Sequence, residues 1–178
     1  KTVAILGGGC IGLCTLLAAK AWGASRIIVC DLFDSHLNKA LALGATDTVN
    51  SGTQNTVEQI MKLTGGAGVD IVFETAGSPV TAAQTSHIVG RGGTIVMVGN
   101  IMPDVPFSFR NLYKKEAEVR AVFRYCNTYP IALQAVASGR IDVKRIVSAS
   151  YPFEQAQQAF DHAVDDKVNC VKAVITME

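Results

Sequence analysis

The chain has 178 residues, of which 49% are hydrophobic, and a formal net charge of +1. That length and apolar content are enough for one domain with a substantial core plus a further piece. Lys and Arg are scattered and nearly balanced by Asp and Glu, which excludes the basic stripe of a nucleic-acid-binding protein, so no nucleic acid is expected as a partner.

The chain enters directly into a buried strand at residues 2–6, TVAIL, followed by Gly7-Gly8-Gly9-Cys10-Ile11-Gly12 and a helix over residues 11–22. The apolar run 11–19 is interrupted by Thr15, is used by this helix and is too short to span a bilayer. With no cationic leader or cleavage site, the expectation is a cytoplasmic protein without a membrane partner. A second strand over residues 26–30 ends at Asp31. Strand, G-x-G-x-x-G, helix, strand and terminal acid make a dinucleotide-binding arrangement. In it Gly7 makes a tight turn, Gly9 bares the backbone to a pyrophosphate, and Gly12 lets helix and strand approach closely. Phosphates would rest on the helix N-terminus, where unpaired N–H groups and the positive dipole end meet. Asp31 would bond the ribose hydroxyls; the bland alternative, a helix cap, suits Asp34 or Ser35 better. That carboxylate also favours NAD over NADP, whose 2′-phosphate it would repel.

Strands and helices continue to alternate: a helix over 35–43 closed by Gly44, a strand at 47–50, a helix at 56–64, a glycine turn at 65–68 and a strand at 69–74. A helix capped by Ser78 with Pro79 at its first position follows, then strands at 93–98 and 118–123. Uniformly apolar strands separated by crossover helices predict an α/β Rossmann fold, a doubly wound parallel sheet of six strands with ligand at the strands' carboxyl ends. Residues 1–138 form this NAD-binding unit. Residues 139–178 form a C-terminal β-α-β extension, with a strand at 146–150, a helix at 153–164 and a strand at 171–176, preceded by a helix at 130–138. Between the fifth and sixth strands, Val105, Phe107 and Phe109 alternate with Pro106 and Ser108, which reads as an edge strand. The five cysteines, Cys10, Cys14, Cys30, Cys126 and Cys170, lie in apolar segments without C-x-x-C spacing and read as reduced core thiols.

The glycine loop with Leu13, the segment Ala40-Leu41-Ala42-Leu43-Gly44-Ala45-Thr46-Asp47, Arg91-Gly92-Gly93-Thr94 and Val98-Gly99 resemble the coenzyme domain of the medium-chain dehydrogenases related to zinc alcohol dehydrogenase. Val122-Phe123-Arg124-Tyr125-Cys126-Asn127-Thr128-Tyr129-Pro130 is similar to sorbitol and other polyol dehydrogenases, and the resemblance covers the whole chain. Cys10 departs from the Pro more usual there, and His36 stands where sorbitol dehydrogenases carry Arg near the adenosine ribose. The resemblance implies hydride transfer between a polyol and NAD. Gly9 and Ile11 would lie on the pyrophosphate side, Val98, Gly99 and Asn100 on the nicotinamide side, and Val122, Phe123 and Arg124 along the carboxamide. His36 would be a cofactor contact, and Arg124 and Tyr125 would reach the substrate. Arg124 could instead form an ion pair with Glu116 or Glu118, Tyr125 could simply pack, and Thr75 and Gly77 could edge the adenosine pocket or merely serve the turn.

In that family a catalytic zinc is held by Cys, His and Glu in an N-terminal half, and this chain is expected to begin where that half ends. His36, His87 and His162 have no partners at ligand spacing. The expectation is a coenzyme half that binds NAD without oxidising polyols alone, with zinc supplied only by the other half. The family's assembly implies a homodimer or homotetramer joined through the 105–109 edge, unless Phe107 and Phe109 turn inward. Alternatives are another medium-chain alcohol dehydrogenase, a non-catalytic NAD-sensing domain, or a methyltransferase, which shares a glycine-rich first turn.

Overall fold

A computed structural model describes residues 1–177. Six strands, β1 (Thr2–Leu6), β2 (Arg26–Asp31), β3 (Asp47–Asn50), β4 (Val69–Glu74), β5 (Val89–Met97) and β6 (Glu118–Ala121), form one sheet in the spatial order β3-β2-β1-β4-β5-β6. Every neighbouring pair in it is parallel. The order reverses between β1 and β4, so the chain leaves these strands toward opposite sides and opens a crevice at their carboxyl ends.

Period-two alternation along β1 and β2 builds both faces. Val3, Ile5, Ile27 and Val29 pack with Leu13, Leu16 and Leu17 of α1 (Cys10–Ala21) and Leu37, Ala40 and Leu43 of α2 (Asp34–Leu43). Ala4, Leu6, Ile28 and Cys30 face the other way, onto Ile60 of α3 (Thr56–Leu63) and Ile88 of α4 (Pro79–Ile88), with Leu112 of α5 (Phe109–Lys115) at the margin. Strands buried on both faces have no polar side to show, which is why they read as continuous apolar runs.

After α6 (Tyr129–Ala137), β7 (Ala149–Pro152), α7 (Ala156–Asp165) and β8 (Ala173–Thr176) form a small β-α-β unit whose two strands pair in parallel. Ile146, in a 3-10 turn, is buried in the α1/α2 core, and Lys39 of α2 donates to its carbonyl at 2.8 Å. The C-terminal segment is therefore anchored to the sheet's own core. No helix among the described residues is long and apolar enough to cross a membrane.

Several boundaries differ from the sequence reading. β5 starts at Val89 rather than 93, because the glycines at 90, 92 and 93 accommodate a register shift against β4 instead of ending the strand. β6 stops at Ala121, since Arg124 (φ 58°) and Asn127 (φ 53°) take left-handed conformations that no strand continues. β7 begins three residues later than expected. The strand expected at residues 105–109 is not formed within the chain: residues 101–108 pair with no strand, and α5 starts at Phe109. Phe107 turns toward the core beside Leu112 while Phe109 stays exposed, so the alternation comes from two rings with different fates. α2 is capped by neither Asp34 nor Ser35; its N-cap is Phe33, with no side-chain cap.

Arg26 ties the starts of β2 and β3 together, donating to both Asp47 oxygens (2.8 and 2.9 Å) and to the Leu63 carbonyl at 2.6 Å. The Arg26 hydrogen bonds hold the Asp47 carboxyl below its ordinary range, with burial opposing them. A carboxylate with a depressed folded pKa gives stability that is present above its unfolded value and lost as pH falls through the folded value. Asp47→Asn is expected to flatten the acid limb of the stability–pH curve below about pH 4 and to cost about 1 kcal/mol at pH 7, a modest figure because the pair is partly solvent-screened. Urea denaturation of both proteins from pH 3 to 7 measures this.

Candidate functional site

At the carboxyl edge of the sheet, the backbone of the glycine loop is set by three neighbours. Gly7 has φ 108° and donates to the Cys30 carbonyl at 2.8 Å; a Cβ on it would come within 2.9 Å of the Ala76 backbone nitrogen. Gly12, in the first turn of α1, lies so close to the Gly7 carbonyl that a Cβ there would overlap its oxygen. Gly9, the N-cap of α1, has no atom within 4 Å of where a Cβ would stand. Gly7 and Gly12 thus spend their missing side chains on close packing, and Gly9 leaves open space over the helix N-terminus, where an anionic group is stabilised.

Asp31 fixes this loop from β2. Its Oδ2 accepts the Gly8 N–H at 2.6 Å and its Oδ1 the Phe33 N–H at 2.9 Å. The nearly buried His36 places Nδ1 3.2 Å from Asp31 Oδ1 without a well-directed hydrogen bond, and Nε2 3.0 Å from the Lys167 carbonyl. Both of its neighbours are acceptors, so either neutral tautomer can serve only one. The Ser35 hydroxyl donates to the Val168 carbonyl beside it. His36 is therefore set between Asp31 and the segment after α7, where it backs the carboxylate, rather than standing open as a free contact.

The ends of β4, β5 and β6 complete the edge. Glu74, fully buried, accepts at Oε1 from the Ala76 and Gly77 N–H groups (3.0 and 2.9 Å) and from Thr81 Oγ1 (2.7 Å), while Oε2 has no partner. A Cβ on Gly99 would strike Oε2 and the Gly77 nitrogen. Thr75 Oγ1 donates to the Leu6 and Gly7 carbonyls, both at 3.0 Å. Val98 and Gly99 donate to the Glu74 carbonyl, and Val122 to that of Met97, each at 2.9 Å. Val98, Gly99, Asn100 and Val122 are thereby brought to the same edge as the glycine loop. Arg124 pairs with neither Glu116 nor Glu118: Glu118 is taken by Arg120 at 2.8 Å, and the Arg124 guanidinium lies over the Phe123 ring, 5.2 Å from its centroid. The Tyr125 ring lies against that of Tyr129 with centroids 5.1 Å apart and planes tilted by 55°, and the rings of Phe123, Tyr125 and Tyr129 stay exposed.

Sequence reasoning missed three charged residues. Glu74 ends β4 as Asp31 ends β2, a signal that was available. Lys172 lines a cavity with Cys10 and Ile11 at the start of α1, while Lys39 of α2 donates to the Ile146 carbonyl at 2.8 Å and to Ser148 Oγ at 3.2 Å, and only the fold brings either there. Cys10, Ile11, Phe160, Cys170 and Lys172 line a cavity of about 580 Å³ between α1 and the C-terminal unit. A larger one, about 890 Å³, opens at the opposite edge among Thr2, Arg26, Asp70 and Arg91. That edge carries strand starts, away from the helix N-termini and the crevice, so the carboxyl edge is the candidate site. Among the described residues no three of His, Cys, Asp or Glu cluster to hold a metal: His87 meets Asn111 (3.2 Å) and His162 meets Tyr151 (2.6 Å). A zinc ion does not fit these side chains.

Residues 10–138 match the family model described as zinc-binding dehydrogenase. The chain is 43% identical over 175 residues, 98% of it and 50% of the relative, to an uncharacterized zinc-type alcohol dehydrogenase-like protein of Escherichia coli. It is 38% identical over 178 residues, again 98% of it and 50% of the relative, to the sorbitol dehydrogenase of Bacillus subtilis. A crystal structure of an Escherichia coli oxidoreductase/dehydrogenase of unknown specificity superposes with TM-score 0.92 at 41% identity, over 99% of this chain and 51% of that one. The chain spans about half the length of these relatives.

The unequal roles of the glycines can be measured. Gly12→Ala is expected to lower unfolding stability by about 3 kcal/mol, because the Gly7 backbone has to move. Gly9→Ala, which meets nothing, is expected to stay within about 1 kcal/mol of the parent. Urea denaturation midpoints of the two variants test the contrast.

Proposed function

The chain belongs to the zinc-binding dehydrogenase family, and we propose that it is the NAD-holding half of a polyol dehydrogenase that oxidises a secondary alcohol to a ketone. The observation that carries this reading is the glycine loop: open over Gly9, closed at Gly7 and Gly12, and pinned at Gly8 by Asp31. Backbone N–H groups at the start of α1 would receive the pyrophosphate, with Lys172 beside them as counter-charge. Asp31, oriented by the Gly8 and Phe33 amides, would accept the ribose hydroxyls. Val98, Gly99 and Asn100 would flank the nicotinamide, and Val122, Phe123 and Arg124 its carboxamide. Bound NAD supplies the hydride acceptor; the chain's own residues hold and orient it.

Arg124 and Tyr125 are proposed to offer donors to polyol hydroxyls, a reading supported by Arg124 having no carboxylate partner among the described residues. Among the described residues no side chains suit a metal, and the chain alone is proposed to bind cofactor without turnover. Phe123 is 81% exposed and Leu133 66%, and with Tyr125, Tyr129, Ile131 and Phe160 they leave much apolar surface around β6, α6 and α7. Such a surface suits the packing of further protein, which in the full enzyme would be the half that carries the metal.

NAD is expected to bind more tightly than NADP. A 2′-phosphate near Asp31 would meet like charge, costing about 1 kcal/mol per unit charge at 4 Å in water and about 4 kcal/mol at an effective dielectric of 20. Calorimetry at pH 7.5 is expected to give at least about tenfold weaker NADP binding, with Gly9→Ala weakening NAD; equal affinity for the two dinucleotides overturns the Asp31 assignment. Sorbitol-dependent NADH formation by the isolated chain, insensitive to chelator, would overturn the division of labour.

A further inference from the structure

Glu74 is fully buried at the carboxyl end of β4, and among the described residues no Lys, Arg or His pairs with it. Its Oε1 accepts three donors, the Ala76 and Gly77 amides at 3.0 and 2.9 Å and Thr81 Oγ1 at 2.7 Å, and its Oε2 accepts none. A partner set made wholly of donors suits a carboxylate that carries its charge, since a protonated carboxyl needs an acceptor as well. Oε2 faces Gly99, where a Cβ would strike it, so Gly99 sets backbone and no side chain against that oxygen. The same strand end is tied to Glu74 twice more. The Val98 and Gly99 amides donate to its carbonyl, each at 2.9 Å, and the Asn100 backbone packs on Gly77, where a Cβ would come within 3.1 Å of the Asn100 carbonyl oxygen. A negative charge is therefore held against residues 98–100. Burying it is costly, and the turn does not need it: one neutral acceptor, such as the amide oxygen of Gln, would serve the same three donors.

We propose that Glu74 is a specificity determinant that favours the oxidised over the reduced dinucleotide, its buried charge stabilising the cationic nicotinamide ring of NAD and leaving the neutral ring of NADH unaffected. The inference rests on the NAD-binding reading, which sets the nicotinamide beside Val98, Gly99 and Asn100. NAD and NADH share the adenosine, both riboses and the pyrophosphate. Contacts at Asp31 and at the glycine loop therefore treat the two alike and cannot choose between them. The rings differ by one positive charge, and a buried carboxylate acts on that charge through protein rather than water, where the interaction is several times stronger at a given separation. The second oxygen, which the turn leaves unused, thereby has a role that a neutral side chain could not fill. Its consequence is a site that takes up the oxidised cofactor and lets the reduced one go, the direction that alcohol oxidation requires.

Calorimetry with NAD and with NADH, each titrated at one pH into the parent chain and its variants, tests this. Glu74→Gln keeps an acceptor for the three donors and removes the charge; NAD affinity is expected to fall about fivefold while NADH affinity stays within about twofold of the parent. Thr81→Ala removes one donor from Oε1 and leaves the charge, and is expected to keep the ratio of the two affinities unchanged. Thr81→Lys brings an ammonium beside the carboxylate from the first turn of α4; it is expected to lower the preference for NAD in the same sense, and it decides the matter if Glu74→Gln does not fold. Equal losses for the two forms in Glu74→Gln mean that the carboxylate only builds the turn, and they overturn the proposal, as does an unchanged ratio in the folded charge variants. A ratio moved as far by Thr81→Ala as by Glu74→Gln also overturns it. A parent chain that binds neither dinucleotide overturns the NAD reading and this inference with it, whereas a parent that binds both, with the ratio unmoved by the charge variants, overturns the inference alone.

Discussion

The carboxylate of Asp31 sits where three parts of the molecule meet, and the geometry of the site follows from what it accepts. One oxygen takes the Gly8 amide and so fixes the height of the glycine loop above β1; the other takes the Phe33 amide and turns the chain from β2 into α2. His36, on the first turn of α2, faces the same carboxylate and reaches the Lys167 carbonyl, while Ser35 reaches that of Val168. A single acidic side chain therefore couples the loop, the second helix and the segment after α7. Hydrogen bonds to a carboxylate are stronger than those between neutral groups, so this arrangement specifies the loop more firmly than a backbone turn alone would.

The sheet supplies the rigidity that this arrangement needs. β1 and β2 are buried on both faces, and their carboxyl ends carry Gly7 and Asp31 with little freedom to move relative to each other. Glu74 does similar work one strand over, spending one buried oxygen on the Ala76 and Gly77 amides and Thr81 and leaving the other without a partner against Gly99. A buried acceptor left unsatisfied is costly, and its place beneath the proposed nicotinamide strand ties that cost to the site. The rest of the edge, from Val122 to Tyr129, has no such support: it carries two left-handed residues and several exposed aromatic rings.

The doubly wound arrangement was legible because β1, β2 and the second half of β5 are short apolar runs, and each helix had room to cross over. The glycine loop was legible for the same reason, since steric need for Gly is local. What escaped were features made by distant residues. α5 was hidden because Phe107 and Phe109 imitate a strand's alternation, although one ring enters the core and the other begins a helix. The early start of β5 was hidden by glycines that signal a turn in isolation and allow a register shift beside β4. His36 looked like a surface contact to a ligand until the segment after α7 covered it, and Lys172 gained meaning only when β8 carried it beside α1. The exposed residues 123–125 were flagged by resemblance alone, since no packing within this chain constrains them.

That a dinucleotide rests on the glycine loop at the carboxyl edge, and not in the larger cavity at the other end of the sheet, is the central claim. Titrating NAD into ¹⁵N-labelled chain and recording amide chemical shifts tests it residue by residue. The largest changes are expected at Gly8, Gly9, Cys10 and Ile11, with smaller ones at Asp31 and at Val98 to Asn100. Changes concentrated at Gly66, Gly68 and Arg91, with the glycine loop unmoved, would contradict it.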